Sequence, residues 1–419
     1  MRKILLGTTA VAGAALFAVS TAQAQQAPTV RLGGVIMTQM NWQDDDLDGT
    51  GAGPTGVRGA GAISRDAIDF KNEVEFIVTV AGKAANGLEY GAVVEIQNDN
   101  IGGSTLDLDE AYVFVSSPTL GTIRFGEEDS AANLLQVRHP FILGGGSDGE
   151  WDDGLTSTGA FTAGGPSLLA SMGNGGDATK IIYLSPQFAG FDFGISFAPN
   201  GNEGDRVIAN RALDTLSLGA GAALDPTNGH RDPTGLTNEI TIALRYRGTV
   251  GGVGIAAGVG YQTAEGARST AAGARTSALT GQDMNAYKVG LNQSAFGFTV
   301  GGEYVWGSYQ GVVNAAPTTK TGQDDSSHYV LGVTYTAGAI SVGAFYGVAE
   351  QDTNTAAGAP KREQTVWGIS GLYTLAPGLD VYATYANLQD SNVNIAATGR
   401  TTLRDREASV LLLGTRLTF

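Results

Sequence analysis

The connections between the strand-like segments of this chain alternate between long and short. Short turns such as PQFAG, GTVG and NQSAFG are separated by long polar segments, which include residues 199–238, 262–283, 308–326, 349–362 and 388–407. A sheet whose chain passes straight up and down places all its long connections at one end. A soluble β-sandwich has no reason to sort its loops in this way. The order of the connections therefore favours an up-and-down antiparallel barrel.

The strand-like segments themselves alternate in polarity. We count sixteen, from one that begins near Val30 to one that begins near Ala408, and most run for about ten residues. In one of them Ile240 and Ile242 share a face, while Thr241 lies on the other. A soluble antiparallel sheet also alternates, but its strands usually have about five or six residues. Ten alternating residues suit a tilted strand that crosses a lipid bilayer.

The lipid environment determines the fold class. Lipid offers no hydrogen bonds to the backbone, so a sheet that crosses it must close on itself. Sixteen strands enclose a lumen too wide to be filled by side chains, and the polar inner faces indicate that it holds water. The sequence therefore predicts an all-β protein, a 16-stranded antiparallel transmembrane β-barrel.

The composition excludes several other classes. The chain has 41 Asp and Glu residues against 25 Lys and Arg, for a net charge of −16. No nucleic-acid partner is expected, because phosphates attract basic surfaces. The 62 glycines indicate turning or closely packed backbone, and the absence of cysteine excludes disulfides. No nucleophile set, zinc spacing or phosphate-binding glycine motif is visible, so we expect neither an enzyme nor a bound cofactor.

The first 24 residues have the features of an export signal. Arg2 and Lys3 precede an apolar run from Ile4 to Val19, and Ala22 and Ala24 supply the small residues of a cleavage site. A membrane anchor is the alternative, but the run is diluted by glycine, alanine and threonine. We expect residues 1–24 to be removed and residues 25–419 to form the barrel domain.

The longest connection runs from Glu127 to Thr179. A loop of this length is usually functional or disordered. Its apolar residues, among them Phe141 and Trp151, favour packing against another surface. We predict that the loop folds into the lumen and narrows it, and the alternative is a solvated external loop. The acidic residues predicted to line the constriction are Glu127, Glu128, Asp129, Asp148, Glu150, Asp152 and Asp153.

Alternation also assigns charged residues to the inner wall. Opposed charges across a narrow pore create a transverse field in which polar solutes orient. Each charge alone has a simpler interpretation as a solvated lumen residue, so the hypothesis depends on the set. The predicted basic residues of the wall are Arg31, Arg124, Arg245, Arg247, Lys288 and Arg416. The predicted acidic residues of the lumen are Glu73, Glu75, Glu89, Glu95 and Glu303.

The stretch DDDLDG matches the opening of a calcium-binding EF-hand loop, with Asp44, Asp46 and Asp48 followed by Gly49. Its twelfth position is Thr55, where a glutamate is required, so an EF-hand is not expected. Three alternatives stay open: a structural calcium ion bound in the loop, divalent ions shared with lipopolysaccharide, and a plain solvated acidic loop.

Several segments resemble one family. LDEAYVFVSSPTLGTIRFGEEDSA, residues 108–131, is similar to the fourth strand, turn, fifth strand and start of the constriction loop of general diffusion porins of the alphaproteobacterial type. NGLEYGAVVEIQ, SPQFAGFDFGISFAPN and LYTLAPGLDVYATYANL resemble the same family, as does the final phenylalanine. The resemblance covers the mature chain. It implies a homotrimer in the Gram-negative outer membrane, in contact with its lipid and lipopolysaccharide.

The resemblance also assigns roles inside each barrel. It implies a separate water-filled channel per subunit, with the third long loop folded inward as an eyelet. The acids from Glu127 to Asp153 would then form its acidic side, and the basic wall residues named above are candidates for the opposite side. The segment from Glu127 to Thr179 is longer than is usual for this loop in the family.

The expected function is a passive outer-membrane channel for ions and small hydrophilic solutes, with a mild preference for cations. The first alternative is a solute-selective channel with a binding site at the constriction loop. The second is a barrel adhesin, which would bind a receptor without conducting.

The last strand, LLLGTRLTF, alternates so that Leu411, Leu413, Leu417 and Phe419 would face lipid. We expect it to pair with the first strand, because an unpaired edge in lipid is costly. The resemblance adds that the outer-membrane assembly machinery reads Phe419 as a signal.

Overall fold

The computed structural model describes residues 26–46, 66–98, 106–147, 149–153, 155, 178–200, 237–265, 284–309, 326–351, 360–397 and 400–419. The predicted signal peptide, Asp48 and Asp148 lie outside these described residues. Within them the chain forms sixteen strands and one short helix. The elements are β1 (Gln26–Asp45), β2 (Ile68–Lys83), β3 (Glu89–Asn98), β4 (Asp107–Ser117), β5 (Gly121–Glu127), α1 (Ala131–Leu134), β6 (Thr179–Leu184), β7 (Phe191–Asn200), β8 (Thr237–Val250), β9 (Val253–Glu265), β10 (Met284–Ala295), β11 (Phe298–Ser308), β12 (Ser326–Ala337), β13 (Ile340–Gln351), β14 (Arg362–Ala376), β15 (Leu379–Ala397) and β16 (Arg400–Thr418).

The strands form one closed antiparallel barrel. Each strand pairs with its neighbours in sequence, and β16 returns to pair with β1. The seam between β1 and β16 runs from Val35 opposite Thr418 to Asp45 opposite Ala408. This confirms the predicted fold class and the predicted pairing of the last strand with the first.

The two faces of each strand have different surroundings. Leu411 and Leu413 are exposed on the outer surface, whereas Leu412 between them is fully buried on the inner side. Aromatic side chains form rows on the outer face, where the Trp306 ring lies 5.6 Å from that of Tyr287 and 5.1 Å from that of Tyr304. An apolar outer band with aromatic rows is the surface that a barrel presents to lipid. No helix in the described part of the chain is long and apolar enough to cross a membrane.

Phe419 closes the seam at its short-turn end. Its backbone exchanges two hydrogen bonds of 3.1 Å with Gly34, and its ring lies edge-on to Phe76 at 6.2 Å. A Cβ atom on Gly34 would lie 2.4 Å from the Glu75 carbonyl oxygen and 3.1 Å from the Phe419 ring. Only glycine therefore fits at position 34, where the backbones of β1 and β2 and the Phe419 ring come close together.

The last connection differs from the prediction. Residues 388–407 were expected to form a long polar segment, but β15 and β16 continue through it and pair as far as Ala397 opposite Arg400. β16 accordingly begins at Arg400 and not near Ala408. Polarity did not reveal this extension, because LQDSNVNIAATGRTTLRDRE carries polar residues on both faces.

Candidate functional site: the lumen and its inward loop

The long loop after β5 starts against the inner wall. Its first turn is α1, where the Ser130 side chain accepts a hydrogen bond from the Asn133 backbone N–H at 3.2 Å. The first two N–H groups of the helix are satisfied by the barrel, since Ala131 donates to Ser196 Oγ of β7 and Ala132 to Thr241 Oγ1 of β8, each at 3.1 Å. The wall therefore supplies the partners that a helix start needs, and the loop runs inward as predicted.

Glycines on the inner face of β9, β10 and β12 then allow the loop to lie directly against the wall. A Cβ atom on Gly290 of β10 would lie 1.9 Å from the Val137 carbonyl oxygen. One on Gly332 of β12 would lie 2.1 Å from the Pro140 carbonyl oxygen, and Gly258 of β9 also faces Val137. Side chains at these positions would push the loop away from the wall, so the glycines allow the close approach of two backbones.

Beneath the loop lies a buried ionic group. His139 Nδ1 donates to Glu303 Oε1 of β11 at 2.6 Å, while its Nε2 accepts from the Ser147 backbone N–H at 3.2 Å. Lys288 of β10 contacts the other oxygen of Glu303 and donates to Gln136 Oε1 at 2.6 Å. Charges buried to this degree are retained only when they are paired.

This group corrects two sequence assignments. Lys288 and Glu303 point inward, as alternation indicates, but their side chains are only 3% and 0% exposed. They were expected to line the open channel. The loop covers them, so they hold the loop against the wall and do not meet channel water.

Trp151 anchors the far part of the loop. It is fully buried, and its Nε1 donates to the Gly146 carbonyl oxygen at 2.8 Å. Trp151 and Leu155 belong to one apolar cluster with the inner wall of β12 to β16, and the Trp151 ring lies 6.3 Å from that of Phe345. The other wall residues of the cluster are Val330, Ala349, Val366, Ala386, Leu388, Ala408 and Val410.

The loop then reaches β1 and β2, where Lys71 holds it. Lys71 Nζ lies 2.6 Å from Asp153 Oδ2, 3.4 Å from Glu150 Oε2 and 3.4 Å from Glu73 Oε2. Gln39 Nε2 of β1 donates to the same oxygen of Glu150 at 2.7 Å. Burial raises the pKa of the Asp153 carboxyl, although the hydrogen bond from Lys71 acts in the opposite direction. The described loop thus follows the wall from β7 round to β2.

The wall from β2 to β5 has a different character, and we call it the acidic wall. Its inward carboxylates are partly exposed, and they are Glu73, Glu75, Glu95, Asp109 and Glu110. The pairing of β3 with β4 slips between Val94 and Ile96, so that Glu95 faces both Asp109 and Glu110. A bulge of this kind re-aims side chains, and here it adds one carboxylate to the channel side.

The start of the loop lies beside the acidic wall. Arg124 of β5 pairs with Glu128, and its guanidinium lies 5.0 Å from the centre of the Tyr112 ring. Burial raises the pKa of the Glu128 carboxyl, with Arg124 acting against that shift. Lys180 donates to the Glu128 carbonyl oxygen. Asp129 accepts a hydrogen bond of 2.9 Å from the Asn133 side chain.

The remaining described acids of the predicted constriction lie far apart along this loop. Glu127 is the last residue of β5 and is buried, while Asp152 lies between Trp151 and Asp153 and is partly exposed. The loop acids therefore do not form one compact face.

Most of the predicted basic residues lie near the short turns. Arg245 and Arg247 of β8 both contact Asp192 of β7, at 2.7 Å and 3.0 Å. Arg416 contacts Asp380 at 2.8 Å. Arg31 is exposed near the start of β1, and Glu89 lies 3.8 Å from Lys83 at the same end of the barrel.

These positions correct the expected transverse field. Of the predicted basic set, Arg124 lies beside the loop start, Lys288 lies beneath the loop, and the others lie near the short turns. The wall between the Arg124–Glu128 contact and the Lys71–Asp153 contact is itself acidic. The described charges thus make one side of the lumen negative and do not oppose an acidic loop to a basic wall.

Asp44 and Asp46 lie at the long-connection end of β1, and Asp44 is exposed. Within the described residues no group of three or more acidic or histidine side chains is arranged to hold a metal ion. Asp48 is outside those residues, so the calcium hypothesis stays a prediction.

Comparison with known proteins identifies the family. A family model described as Gram-negative porin matches residues 7–393. The chain belongs to the Gram-negative porin family. This porin is accordingly an integral β-barrel channel of the outer membrane. No curated protein matches it significantly.

Solved structures agree with the fold of this porin. A porin refined at 1.8 Å shares 19% identity with it at a TM-score of 0.55, over 93% of this chain and 100% of the other. The anion-selective porin of Comamonas acidovorans shares 15% identity at a TM-score of 0.56, over 94% and 100%. The trimer form of OmpT from Vibrio cholerae shares 14% identity at a TM-score of 0.55, over 94% and 100%. At these identities the likeness concerns the fold alone.

Proposed function

We propose that this porin is a passive, non-enzymatic channel for ions and small hydrophilic solutes that prefers cations at its constriction. The observation that carries the proposal is the acidic wall. Its partly exposed carboxylates line the part of the lumen that lies between the Arg124–Glu128 contact and the Lys71–Asp153 contact.

The basic side chains do not cancel this charge. Lys71 and Arg124 each lie among acids, with three carboxylates around Lys71, while Arg245, Arg247 and Arg416 pair with acids near the short turns. Rings of Asp and Glu favour cations because a low-dielectric wall strengthens their field in a narrow channel. The excess of acids over bases in the whole chain acts in the same direction.

The proposal includes a homotrimer surrounded by outer-membrane lipid and lipopolysaccharide. Its support is the family and the solved trimer form of OmpT from Vibrio cholerae. Electrophoresis of unheated samples tests it, since a stable trimer should migrate well above the 43.0 kDa of the full chain and collapse on boiling to a single subunit below that mass.

Reconstitution in a planar bilayer tests the channel itself. The purified protein should give stepwise, ohmic current, and the reversal potential in a KCl gradient should report potassium as the more permeant ion. The anion-selective porin of Comamonas acidovorans is the matched comparison, because it has a similar fold and its name states the opposite preference. A chloride-selective reversal potential would contradict the cation preference, and absence of current would contradict the channel.

A further inference from the structure

Lys71 is a basic residue of the lumen that has several acidic partners. Three carboxylates approach its ammonium group, from Asp153 at 2.6 Å and from Glu150 and Glu73 at 3.4 Å. Its side chain is only 10% exposed, although it projects from an inward position of β2. Lys83, on the same face of the same strand, is 37% exposed and meets a single acid, Glu89, at 3.8 Å.

The partners of Lys71 come from two parts of the molecule. Glu73 belongs to the wall, whereas Glu150 and Asp153 belong to the far part of the inward loop. The ammonium group therefore joins loop to wall at the edge of the acidic wall. The geometry suits an ammonium ion, whose three N–H groups can each reach one carboxylate.

We propose that Lys71 is a tethered cation that determines the specificity of the constriction. It fills a site shaped for a primary ammonium ion, fixes the loop segment of Glu150 and Asp153 against β2, and keeps permeating amines out of that site. This inference rests on the proposed cation-conducting function and adds a chemical class, protonated primary amines, for which the site is built.

Removing the side chain should expose the site. Lys71→Ala leaves three carboxylates without their shared counter-charge, and such an uncompensated group is strongly unfavourable. The loop segment that contains Glu150 and Asp153 should detach from β2, so the single-channel current should become larger and noisier. An amine from solution can then take the vacant place.

The test is chemical rescue in a planar bilayer. The probes are propylammonium chloride, which resembles the lost side chain, and tetramethylammonium chloride, which has the same charge but no N–H donor. In Lys71→Ala, propylammonium should restore the smaller, quiet wild-type current with saturable dependence on concentration, and tetramethylammonium should not. Wild type and Lys83→Ala should respond equally weakly to both ions.

Two results would overturn the inference. One is a Lys71→Ala current that matches that of Lys83→Ala, which would make Lys71 an ordinary lumen charge. The other is an equal response of Lys71→Ala to both ammonium ions, which would indicate general screening. A chloride-selective reversal potential in the wild type would instead overturn the proposed function, so the two failures are distinct.

Two further variants keep the test decisive if Lys71→Ala does not assemble. Asp153→Asn weakens the shortest contact from the loop side and should give noisy current that propylammonium cannot quiet, because Lys71 still fills the site. Lys71→Arg retains the charge and several donors and should stay close to wild type. Quiet current in Asp153→Asn would contradict the inference.

Discussion

The wall under the loop and the acidic wall are built from the same alternating strands but do opposite things with their inward residues. From β7 to β13 those residues include glycines such as Gly290 and Gly332, and charges that are buried in pairs, such as Glu303 with Lys288. From β2 to β5 they include five carboxylates that stay partly exposed. Alternation therefore determines which side chains point inward, whereas the position of the loop determines which of them reach the channel water.

The largest effect on the difference between the two walls is expected from removal of Trp151, which anchors the loop. Trp151→Ala should cost about 3–5 kcal/mol of packing, because the side chain is fully buried against the wall. The loop should leave the wall, and single-channel conductance should rise severalfold in a planar bilayer. Trp367→Ala, a change on the outer face where the side chain is 41% exposed, is the control and should keep the wild-type conductance. Equal conductance in both variants would place the loop outside the conducting path.

Charge removal should have different effects on the two walls. Glu303→Gln leaves Lys288 buried without its partner, which typically costs about 3 kcal/mol or more. It should lower the thermal stability of the detergent-solubilised barrel. Glu95→Gln removes an acid of the acidic wall, so it should shift the reversal potential towards chloride and leave stability nearly unchanged. The same shift of reversal potential in both variants would remove the distinction between the walls.

The inward glycines that contact the loop allow a purely steric test of its position, with a smaller expected effect. Gly290→Ala should cost about 1–3 kcal/mol, because its Cβ would lie 1.9 Å from the Val137 carbonyl oxygen. Gly254→Ala, on the neighbouring strand β9, is the matched control, since its Cβ would make an ordinary contact of 3.5 Å with Ser294. We expect noisier current only in Gly290→Ala. Identical current noise in the two variants would show that the loop does not lie against β10.

The smallest expected effect is a pH dependence of the cation preference. Burial raises the pKa of the Glu128 and Asp153 carboxyls, so these groups take up protons at a higher pH than an ordinary carboxyl does. As the pH falls, each loses its negative charge and the field that attracts cations weakens. The reversal potential should therefore move towards chloride on acidification, beginning above the usual carboxyl range. If the cation preference stays constant until the pH at which ordinary carboxyls take up protons, these two acids do not contribute to it.

The sequence was sufficient for the barrel because its determinants are periodic. Alternation, strand length and the order of connections predicted sixteen strands and their closure, whereas the inward loop was predicted from the length and the apolar residues of one connection. β15 and β16 were underestimated because their long-connection ends carry no apolar face. Lys71 could have been found, since it has the same phase as Glu73 and Glu75, which were assigned inward.

The roles of the lumen residues could not be predicted as well as the barrel. Lys288 and Glu303 are buried because the loop lies over them, and the sequence does not show where the loop docks. The bulge that places Asp109 and Glu110 opposite Glu95 interrupts the two-residue alternation from which the inward residues were predicted. Asp192 and Asp380 contact three arginines across neighbouring strands. These contacts can be recognised only when the register of the strands is known.

Cysteine accessibility tests the distinction between the two walls most directly, because the chain contains no cysteine of its own. Glu95→Cys and Glu303→Cys would each be exposed, in an open channel, to a positively charged thiol reagent that enters with the current. We predict stepwise reduction of current in Glu95→Cys and no change in Glu303→Cys. Reaction at position 303 with no reaction at position 95 would contradict the account.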